Sequence, residues 1–389
     1  MSENRFSDAW CDEFRRQMPV TDNWAYMDHA AVAPLSSPAR GAVLAWCRDA
    51  CGAGDTCWAE WAAGVERVRV TCAAMLNASE AEIAFVHNTT TGISLVAEGM
   101  DWATGDNVVT LGNEFPSNLY PWMNLADRGV PTRRVPVERG VVDIDRIFDH
   151  CDARTRLISL SWVGYASGWR VDVAEVVTRA HERGISVFLD AIQALGVFPL
   201  DVRRVPVDFL AADGHKWMLG PEGAGILYIR REHLARLRTI GVGWNSVEHA
   251  HDFSRIELTL RPSAVRYEGG SQNMAGVLAL GASLELLASL GLSSATSRIA
   301  ERVLAVTDFA CERLAEAGAD VTSNRTGDGR SGIVMFRVPG QDPERVRAHC
   351  LARRVVLSCR GGQLRISPHG YASGDDIQQL VEAIRSVRG

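Results

Sequence analysis

The sequence lacks the features that would place the protein in a membrane, outside the cell or on a nucleic acid. No apolar stretch is long enough to cross a bilayer, and the N-terminal residues, Met1 to Asp8, contain no apolar signal-peptide core. The 41 Lys and Arg residues face 47 Asp and Glu residues, so the net charge of -6 favours neither nucleic acid nor a membrane surface. We therefore expect a cytoplasmic protein with no partner of either kind.

Paired cysteines are also missing, as are nucleotide-binding motifs in their usual strand-to-helix context. The nine cysteines are an odd number, and none of them forms a CxxC pair. Cys47, Cys51 and Cys57 lie in a helix-like stretch without the spacing of metal ligands, which favours free thiols in a reducing compartment and no metal site. GxxxxGKS does not occur, and the one GxGxxG match, Gly327 to Gly332, leads into a strand-like run rather than a helix, which argues against a P-loop and a dinucleotide site.

Length and element pattern predict an α/β protein with two domains. A chain of 389 residues, 47% hydrophobic and 23% charged, is too long for one ordinary core. Strand-like apolar runs alternate with helical stretches, and the C-terminal part has the short strands and helices typical of a small α+β domain. We expect an N-terminal segment (residues 1–27) that packs on the small domain, a large domain (residues 28–280) and a small C-terminal domain (residues 281–389).

One lysine stands between two strand-like runs. The apolar run Val207 to Ala212 leads into Asp213-Gly214-His215-Lys216, and a glycine-rich turn precedes a second apolar run that begins at Ile226. Most lysines are solvated surface charges. Here the flanking strands would hold the Lys216 ammonium near a core, where desolvation lowers its pKa and exposes an amine able to form a Schiff base.

A carboxylate ends the strand-like run that comes before this lysine. The run Ile185 to Leu189 leads into Asp190, and Gln193 follows three residues later. Open α/β sheets place their ligands at the carboxyl ends of their strands. An anion there suits pyridoxal phosphate (PLP), because it keeps the ring nitrogen protonated and lets the ring accept electrons.

The order and spacing of Asp190, Gln193, His215 and Lys216 resemble the class V aminotransferase family of fold-type I PLP enzymes. That family includes cysteine desulfurases, kynureninases and isopenicillin N epimerase, and the resemblance extends over nearly the whole chain. It implies an α/β fold whose large domain has a mostly parallel, seven-stranded type of sheet flanked by helices, with PLP bound to Lys216. It also implies that Gln193 tunes the phenolic oxygen of the cofactor and that His215 helps to anchor its phosphate.

A hydroxyl-rich turn, Asn88-Thr89-Thr90-Thr91-Gly92, opens a helical stretch. Backbone N–H groups and the helix dipole make such a turn an anion site, although threonine N-capping uses the same physics without a ligand. The resemblance places the cofactor phosphate at Thr90 and Thr91. It also matches Ser271 to a hydroxyl that reaches the phosphate of the other subunit, which implies a homodimer. By itself, Gly269-Gly270-Ser271 is only a capping turn.

Four further residues are candidates for the wall of the site. Phe115 replaces a histidine that related enzymes usually stack on the cofactor ring, and it can stack but cannot titrate. Tyr165 stands where desulfurases commonly have an asparagine, and it either donates a hydrogen bond or closes the pocket. His29 is either a polar lining group or a core histidine. Arg365, in Leu364-Arg365-Ile366-Ser367-Pro368-His369, matches the family arginine whose planar fork pairs with a substrate carboxylate.

The sequence indicates the cofactor more clearly than it indicates the reaction. Cysteine desulfurases carry a nucleophilic cysteine on a loop before the family arginine, whereas Cys359 lies only six positions before Arg365 and leaves almost no loop. We expect Cys359 to pack rather than to carry a persulfide, with a reactive thiol as the alternative. We therefore expect a PLP-dependent transferase or lyase that acts on a small amino acid, and the first choice is a transaminase. The alternatives are desulfurase-like β-elimination at a C–S bond and epimerisation. Intact Lys216, Asp190 and Arg365 disfavour a cofactor-binding module without turnover.

Overall fold

The computed structural model describes residue 6 and residues 8–387. Its α-helices are α1 (Ala9–Arg16), α2 (Ser37–Ala53), α3 (Trp58–Leu76), α4 (Thr89–Gly99), α5 (Tyr120–Met123), α6 (Ile144–Asp149), α7 (Val173–His181), α8 (Arg231–Leu234), α9 (Met274–Ser289), α10 (Arg298–Glu316), α11 (Pro343–Ala352) and α12 (Gly374–Val387). Its strands are β1 (Ala25–Tyr26), β2 (Ile83–Val86), β3 (Asn107–Leu111), β4 (Thr132–Val135), β5 (Thr155–Ser161), β6 (Ser186–Asp190), β7 (Phe209–Asp213), β8 (Gly225–Ile229), β9 (Asp320–Val321), β10 (Val334–Arg337), β11 (Val355–Val356), β12 (Ser358–Arg360) and β13 (Gln363–Ile366). Within the described residues, no helix has both the length and the apolar character needed to cross a membrane.

Seven strands form the central sheet, in the order β2-β8-β7-β6-β5-β3-β4. Strands β4, β3, β5, β6 and β7 pair in parallel, and β8 runs antiparallel to its two neighbours, β7 and β2. Parallel neighbours need a crossover connection, and α7 lies in the one between β5 and β6. The expected α/β fold with a mostly parallel seven-stranded sheet is confirmed.

Both faces of the central sheet are covered, which explains why its strands are apolar without alternation. Every residue of β2, β3, β7 and β8 is buried. Successive side chains of β7 enter different apolar clusters: Phe209 and Ala211 lie in one, and Leu210 and Ala212 lie in the other. Residues of α4 pack in the first cluster, and residues of α3, α7 and α9 pack in the second. The inner strands of the sheet therefore lie between apolar clusters on both faces, whereas the edge strand β4 is partly exposed.

A smaller antiparallel sheet occupies the C-terminal part, with strand order β12-β13-β10-β9. Its residues share a third apolar cluster with residues of α10, α11 and α12. The chain before the large sheet also packs here, because β1 pairs in parallel with β11, Ala25 opposite Val355. Asp28 continues this contact through a bridge to Ser367. The division into segments 1–27, 28–280 and 281–389 stays a prediction.

Candidate active site

A cavity of about 300 Å³ opens where the parallel strands of the central sheet end. Strand β6 ends in Asp190, which pairs with Ser161 at the end of β5 and with Ala211 of β7. This register brings the turns after three strands to one place. Eight of the residues predicted for the site line the cavity: Thr90, Phe115, Tyr165, Asp190, Gln193, His215, Lys216 and Arg365.

Lys216 lies on a tight turn directly after β7. The Gly214 N–H donates to Ala224 O at 2.9 Å, and a Cβ at Gly214 would lie 2.6 Å from that oxygen, so the turn requires glycine. Desolvation lowers the pKa of the Lys216 ammonium to about 8, although the nearby Asp190 carboxylate raises it. Lys216 is also the only lysine in the sequence. The cavity thus holds an amine that is partly neutral near pH 7.

Asp190 is almost completely enclosed, with 2% of its surface exposed. Its Oδ1 accepts a hydrogen bond from the Ile192 N–H at 3.1 Å, and its other oxygen has no donor among the described residues. Burial raises the pKa of Asp190 to about 6, while the Ile192 N–H and the Lys216 charge oppose that rise. The carboxyl group is therefore mostly ionised at neutral pH and keeps an acceptor oxygen for a further donor.

Gln193 connects the cavity wall to the N-terminal part of the chain. Its Nε2 donates to Ala30 O at 3.0 Å, and its Oε1 accepts from the Trp217 indole N–H at 2.9 Å. Trp217 directly follows the lysine. Gln193 therefore fixes the turn that carries Lys216 against Ala30, and one amide hydrogen of Gln193 stays available to the cavity.

Helix α4 begins at the cavity wall. The Asn88 side chain caps it by accepting from the Thr91 N–H at 2.8 Å and from the Thr91 hydroxyl at 3.1 Å. The Thr91 hydroxyl is thus used by the cap, and Thr91 is not on the wall. Thr90 does line the cavity, and its hydroxyl donates to Ser117 Oγ at 2.8 Å. The helix N-terminus, beside the linked hydroxyls of Thr90 and Ser117 on the wall, forms a place suited to an anion.

Two aromatic rings stand at the mouth. Phe115 and Tyr165 meet edge to face, with ring centroids 5.2 Å apart and planes at 73°. The Lys216 Nζ lies 5.8 Å from the centre of the Phe115 ring. Phe115 is 44% exposed, so it is free to cover a flat group bound above the lysine. The Phe115 ring has no group that exchanges protons.

The Arg365 side chain is held on three sides. Its Nη2 lies 3.1 Å from Asp28 Oδ1, its Nε donates to Ser358 Oγ at 3.2 Å, and its Nη1 donates to Tyr165 O at 2.8 Å. Desolvation lowers the pKa of Arg365, and the Asp28 carboxylate opposes that shift. A guanidinium has five N–H donors, so two remain beyond these contacts. Arg365 is thus a fixed cation on the cavity wall with donors left for an anion.

Cys359 faces away from the cavity. In the hairpin of β12 and β13 it pairs with Leu364, on the side opposite to Ser358 and Arg365. Its thiol lies 3.3 Å from Pro343 O and packs against the C-terminal apolar cluster, and burial raises its pKa to about 11. All nine cysteines belong to the described part of the chain, and none lines the cavity. The cavity therefore contains no thiol nucleophile.

His29 lies outside the cavity, in the layer beneath Trp217. It is fully buried, with its Nδ1 2.9 Å from Ser367 O and its Nε2 2.8 Å from the Tyr371 hydroxyl. Burial lowers the pKa of His29 well below its usual value. The structure therefore gives His29 the surroundings of a neutral core histidine.

Ser271 also lies outside the Lys216 cavity. It is exposed and lines a separate cavity of about 520 Å³. The wall of that second cavity includes Trp46, Trp58, Trp61 and Trp244. Within one chain, Ser271 and the residues around Lys216 form two different sites.

Sequence reasoning missed two ionisable residues at the Lys216 cavity. Arg360 lines it, and the available signal was its position two residues after Ser358 on a strand that faces the site. Glu114 lies behind the wall, where its carboxyl group accepts from the Ser161 N–H at 2.7 Å and from the Ser161 hydroxyl. Burial raises the pKa of Glu114 to about 7. The resemblance matches Glu114 and Phe115 to a Glu-His pair of related enzymes, but the contact of Glu114 with Ser161 depends on how β3 and β5 are placed and cannot be read from the sequence.

This wall fits PLP. A partly neutral amine could hold the cofactor aldehyde, and Asp190 keeps an unpaired, ionised oxygen that could accept from the ring N–H. The N-terminus of α4, with Thr90 and the nearby His215, could hold the phosphate.

Comparisons with known proteins agree with this fit. The family model "Aminotransferase class-V" matches residues 26–373. A probable cysteine desulfurase of Methanothermobacter thermautotrophicus is 31% identical, over 97% of this chain and 98% of the relative. A cysteine desulfurase of Enterobacter sp. (strain 638) is also 31% identical, over 81% of this chain and 78% of the relative.

Solved structures have the same fold. A mutant of C-DES with glycine covalently linked to its PLP cofactor superimposes with a TM-score of 0.89 at 23% identity, over 95% of this chain and 98% of that one. The apo cysteine desulfurase of Thermococcus onnurineus NA1 gives a TM-score of 0.86 at 24% identity, over 97% of both chains. The chain therefore belongs to the class V aminotransferase family and is a PLP-dependent enzyme with a fold-type I architecture.

Proposed function

We propose that the enzyme cleaves the C–S bond of cysteine or a related amino acid by β-elimination, without a persulfide on the protein. The observation that carries this proposal is a lysine cavity with a buried arginine and no cysteine on its wall. The names of the relatives, which are cysteine desulfurases 31% identical to this chain, support a sulfur amino acid as substrate. An enzyme that converts cysteine to alanine must pass the sulfur atom to an acceptor thiol. Because no cysteine lines the cavity, we infer that the reaction is an elimination.

Elimination needs no such acceptor. Cysteine and water give pyruvate, ammonia and hydrogen sulfide, with no net oxidation or reduction. PLP, when bound, supplies the electron sink that stabilises negative charge at Cα. The protein then has to orient the substrate, remove a proton from Cα and let the thiolate leave. A wall without a cysteine is sufficient for these tasks.

Lys216 is the group that we assign to proton removal. At pH 7 a pKa of about 8 leaves about a tenth of the amine neutral, roughly 300-fold more than for an ordinary lysine. Phe115 occupies the place of the usual histidine and cannot exchange protons, so this work falls to Lys216. Asp190, ionised and short of donors, is assigned to the ring nitrogen, and Gln193 to the phenolic oxygen.

Arg365 is assigned to the substrate carboxylate. Its side chain is already immobilised by Asp28, Ser358 and the Tyr165 carbonyl, so little side-chain entropy is lost when an anion binds. Its two remaining donors match the two oxygens of a carboxylate. We therefore assign the Cα of the amino acid to the space between Arg365 and Lys216, both of which line the cavity.

The products of L-cysteine test the proposal. Purified holoenzyme is incubated with L-cysteine, and sulfide, pyruvate, ammonia and alanine are quantified against an inactive Lys216→Met variant. We expect sulfide and pyruvate in equal amounts and no alanine. Alanine formed together with protein-bound sulfane sulfur would reject the elimination route.

The same assay covers the other reactions predicted from the sequence. Transamination would transfer the amino group to an added keto acid without releasing sulfide. Epimerisation would produce the D-amino acid and release neither sulfide nor pyruvate. Transamination remains a prediction with no observation that favours it over elimination. A cytoplasmic location is also proposed, supported by nine free thiols, which are typical of a reducing compartment.

We further propose a homodimer in which the partner subunit's Ser271 completes the phosphate site. Within one chain, Ser271 is exposed and separate from the Lys216 cavity, so it can serve such a site only in another copy. Sedimentation should give twice the 42.4 kDa chain mass. Ser271→Ala should retain the dimer but bind PLP less tightly; unchanged PLP affinity would remove Ser271 from the site.

A further inference from the structure

The backbone carbonyl of Trp217, the residue that follows Lys216, is held by a histidine from the C-terminal part of the chain. His369 Nε2 donates to the Trp217 oxygen at 3.1 Å, and no other donor of the described residues reaches that oxygen. A carbonyl can only accept, so Nε2 carries the ring proton. Trp217 is buried, and a buried carbonyl needs its hydrogen-bond partner. His369 is therefore the one side chain that satisfies this part of the lysine turn.

The surroundings of this hydrogen bond leave it little freedom. The Trp217 oxygen also packs against Gly196, where a Cβ would lie 2.4 Å from it. The His369 ring is fully buried and lies beside the Trp217 indole, with ring centroids 5.7 Å apart and planes at 35°. Burial lowers the pKa of His369 to about 4, so the ring stays neutral and keeps a single N–H for the carbonyl.

Gln193 and His369 hold different atoms of Trp217. Gln193 Oε1 accepts from the indole N–H at 2.9 Å and so fixes the side chain, whereas His369 fixes the main chain. A shift of the main chain at Trp217 would move the adjoining Lys216 as well. A displacement of about 1 Å at a reacting group can lower a rate by about 100-fold.

The segment that carries His369 also carries Arg365. The residues are four positions apart, and Ser367 between them is anchored, because its N–H donates to Met27 O at 2.7 Å. Arg365 lines the cavity, and His369 reaches the turn of Lys216 from behind the wall. One short, fixed segment therefore connects the arginine of the site to the backbone beside the lysine.

We propose that His369 is a positioning residue, which acts through the Trp217 carbonyl and holds the Lys216 amine at a fixed distance from Arg365. The inference rests on the proposed function for one point, the binding of the substrate carboxylate at Arg365. With the carboxylate there, this distance decides whether the amine reaches the proton on Cα. His369 is not on the cavity wall, so it acts only through the turn.

Three variants separate positioning from packing. His369→Leu removes the donor to the carbonyl, and His369→Gln keeps an N–H donor in a similar place. His29→Leu is the matched control, because His29 is also fully buried and its ring lies 5.9 Å from the Trp217 indole. Its nitrogens contact Ser367 O and the Tyr371 hydroxyl, not the lysine turn. Circular dichroism checks folding, and His369→Phe replaces His369→Leu if the latter does not fold.

The first measurement is the steady-state rate of sulfide release from L-cysteine by each holoenzyme. His369→Leu should lower kcat by about tenfold or more, since the amine is displaced from Cα. KM should change by less than about threefold, because Arg365 still binds the carboxylate. His369→Gln should recover most of kcat, and His29→Leu should stay within about threefold of wild type.

The second measurement needs no cofactor. Lys216 is the only lysine, so the pH dependence of its acetylation in the apoprotein, located by peptide mass mapping, reports the pKa of that amine. In His369→Leu this pKa should rise from about 8 by about 0.5 or more, because a displaced amine gains contact with water. The charged groups around the amine are the same in every variant, so a change in its pKa reports displacement. These groups are Asp190, Asp213, Arg360 and Arg365.

Two results would overturn the positioning role. One is a wild-type kcat or an unchanged Lys216 pKa in His369→Leu. The other is an equal loss of kcat in His369→Leu and His29→Leu without recovery in His369→Gln, which would mean that the ring only fills space. Failure of the proposed function is distinguishable, because it appears as absent sulfide release by the wild type and leaves the acetylation measurement intact.

Discussion

Replacing Lys216 by methionine should stabilise the apoprotein at neutral pH. Methionine keeps a similar unbranched shape and removes the desolvated charge. The Lys216 pKa is lowered from 10.5 to about 8, so the folded state binds this proton less well than the unfolded state does. At pH 7 this difference corresponds to about 3 kcal/mol in the free energy of unfolding.

The sign of the pH dependence follows from the same linkage. Between pH 8 and 10.5 the unfolded chain binds more protons at Lys216 than the folded chain, so wild-type stability rises with pH across that window. The advantage of Lys216→Met should therefore shrink to about 1 kcal/mol at pH 9.5.

Thermal unfolding of cofactor-free proteins measures this effect, since bound PLP would otherwise add to wild-type stability. For a chain of this length, 3 kcal/mol corresponds to roughly 4 °C in Tm at pH 7. Arg337→Met, which removes an exposed charge, is the matched control and should shift Tm by no more than about 1 °C. Equal Tm values for wild type and Lys216→Met at pH 7 would refute the claim that the Lys216 ammonium is desolvated in the folded protein. A Tm difference that does not change with pH would refute it as well.

Three other substitutions have defined outcomes. Asp190→Asn should lower kcat for sulfide release, measured by steady-state kinetics, by roughly 100-fold, because the ring nitrogen of the cofactor loses its anionic partner. A decrease in kcat of less than threefold would contradict that role of Asp190. Cys359→Ala should leave sulfide release from L-cysteine within twofold of wild type, since the thiol faces away from the cavity. Arg69→Met should destabilise the protein by about 3–5 kcal/mol in chemical denaturation, because it leaves the Glu268 carboxylate buried without its partner, and adding Glu268→Gln should recover part of the loss.

Much of the fold was predictable because the chemistry of the site is tied to strand ends. The apolar runs before Asp190 and Lys216 form β6 and β7, and parallel strands bring the residues that follow them to one edge. Local pattern was enough to place these residues. The sequence pattern from Ser37 to Leu76 is helical throughout, but the segment forms two helices, α2 and α3, because Gly54 adopts a positive φ of 58° and interrupts the pattern.

The environment of each side chain was less predictable, because it depends on residues distant in sequence. Thr91 belongs to a hydroxyl-rich turn, but Asn88 takes its hydroxyl for the helix cap. His29 precedes a segment that does line the cavity, yet its ring turns into the core formed with Tyr371. Arg360 was missed because a charged residue next to glycines is typical of an exposed turn, and only the hairpin register reveals the face that it occupies.

Reduction of the holoenzyme with borohydride tests the central claim, that Lys216 carries the cofactor of this enzyme. Reduction converts a lysine–cofactor linkage into a stable secondary amine, and peptide mass mapping then locates it. With a single lysine in the chain, we predict one labelled peptide, the one containing Lys216, and no label in Lys216→Met. A wild-type protein that stays unlabelled in the presence of PLP, or a label that persists in Lys216→Met, would contradict the account.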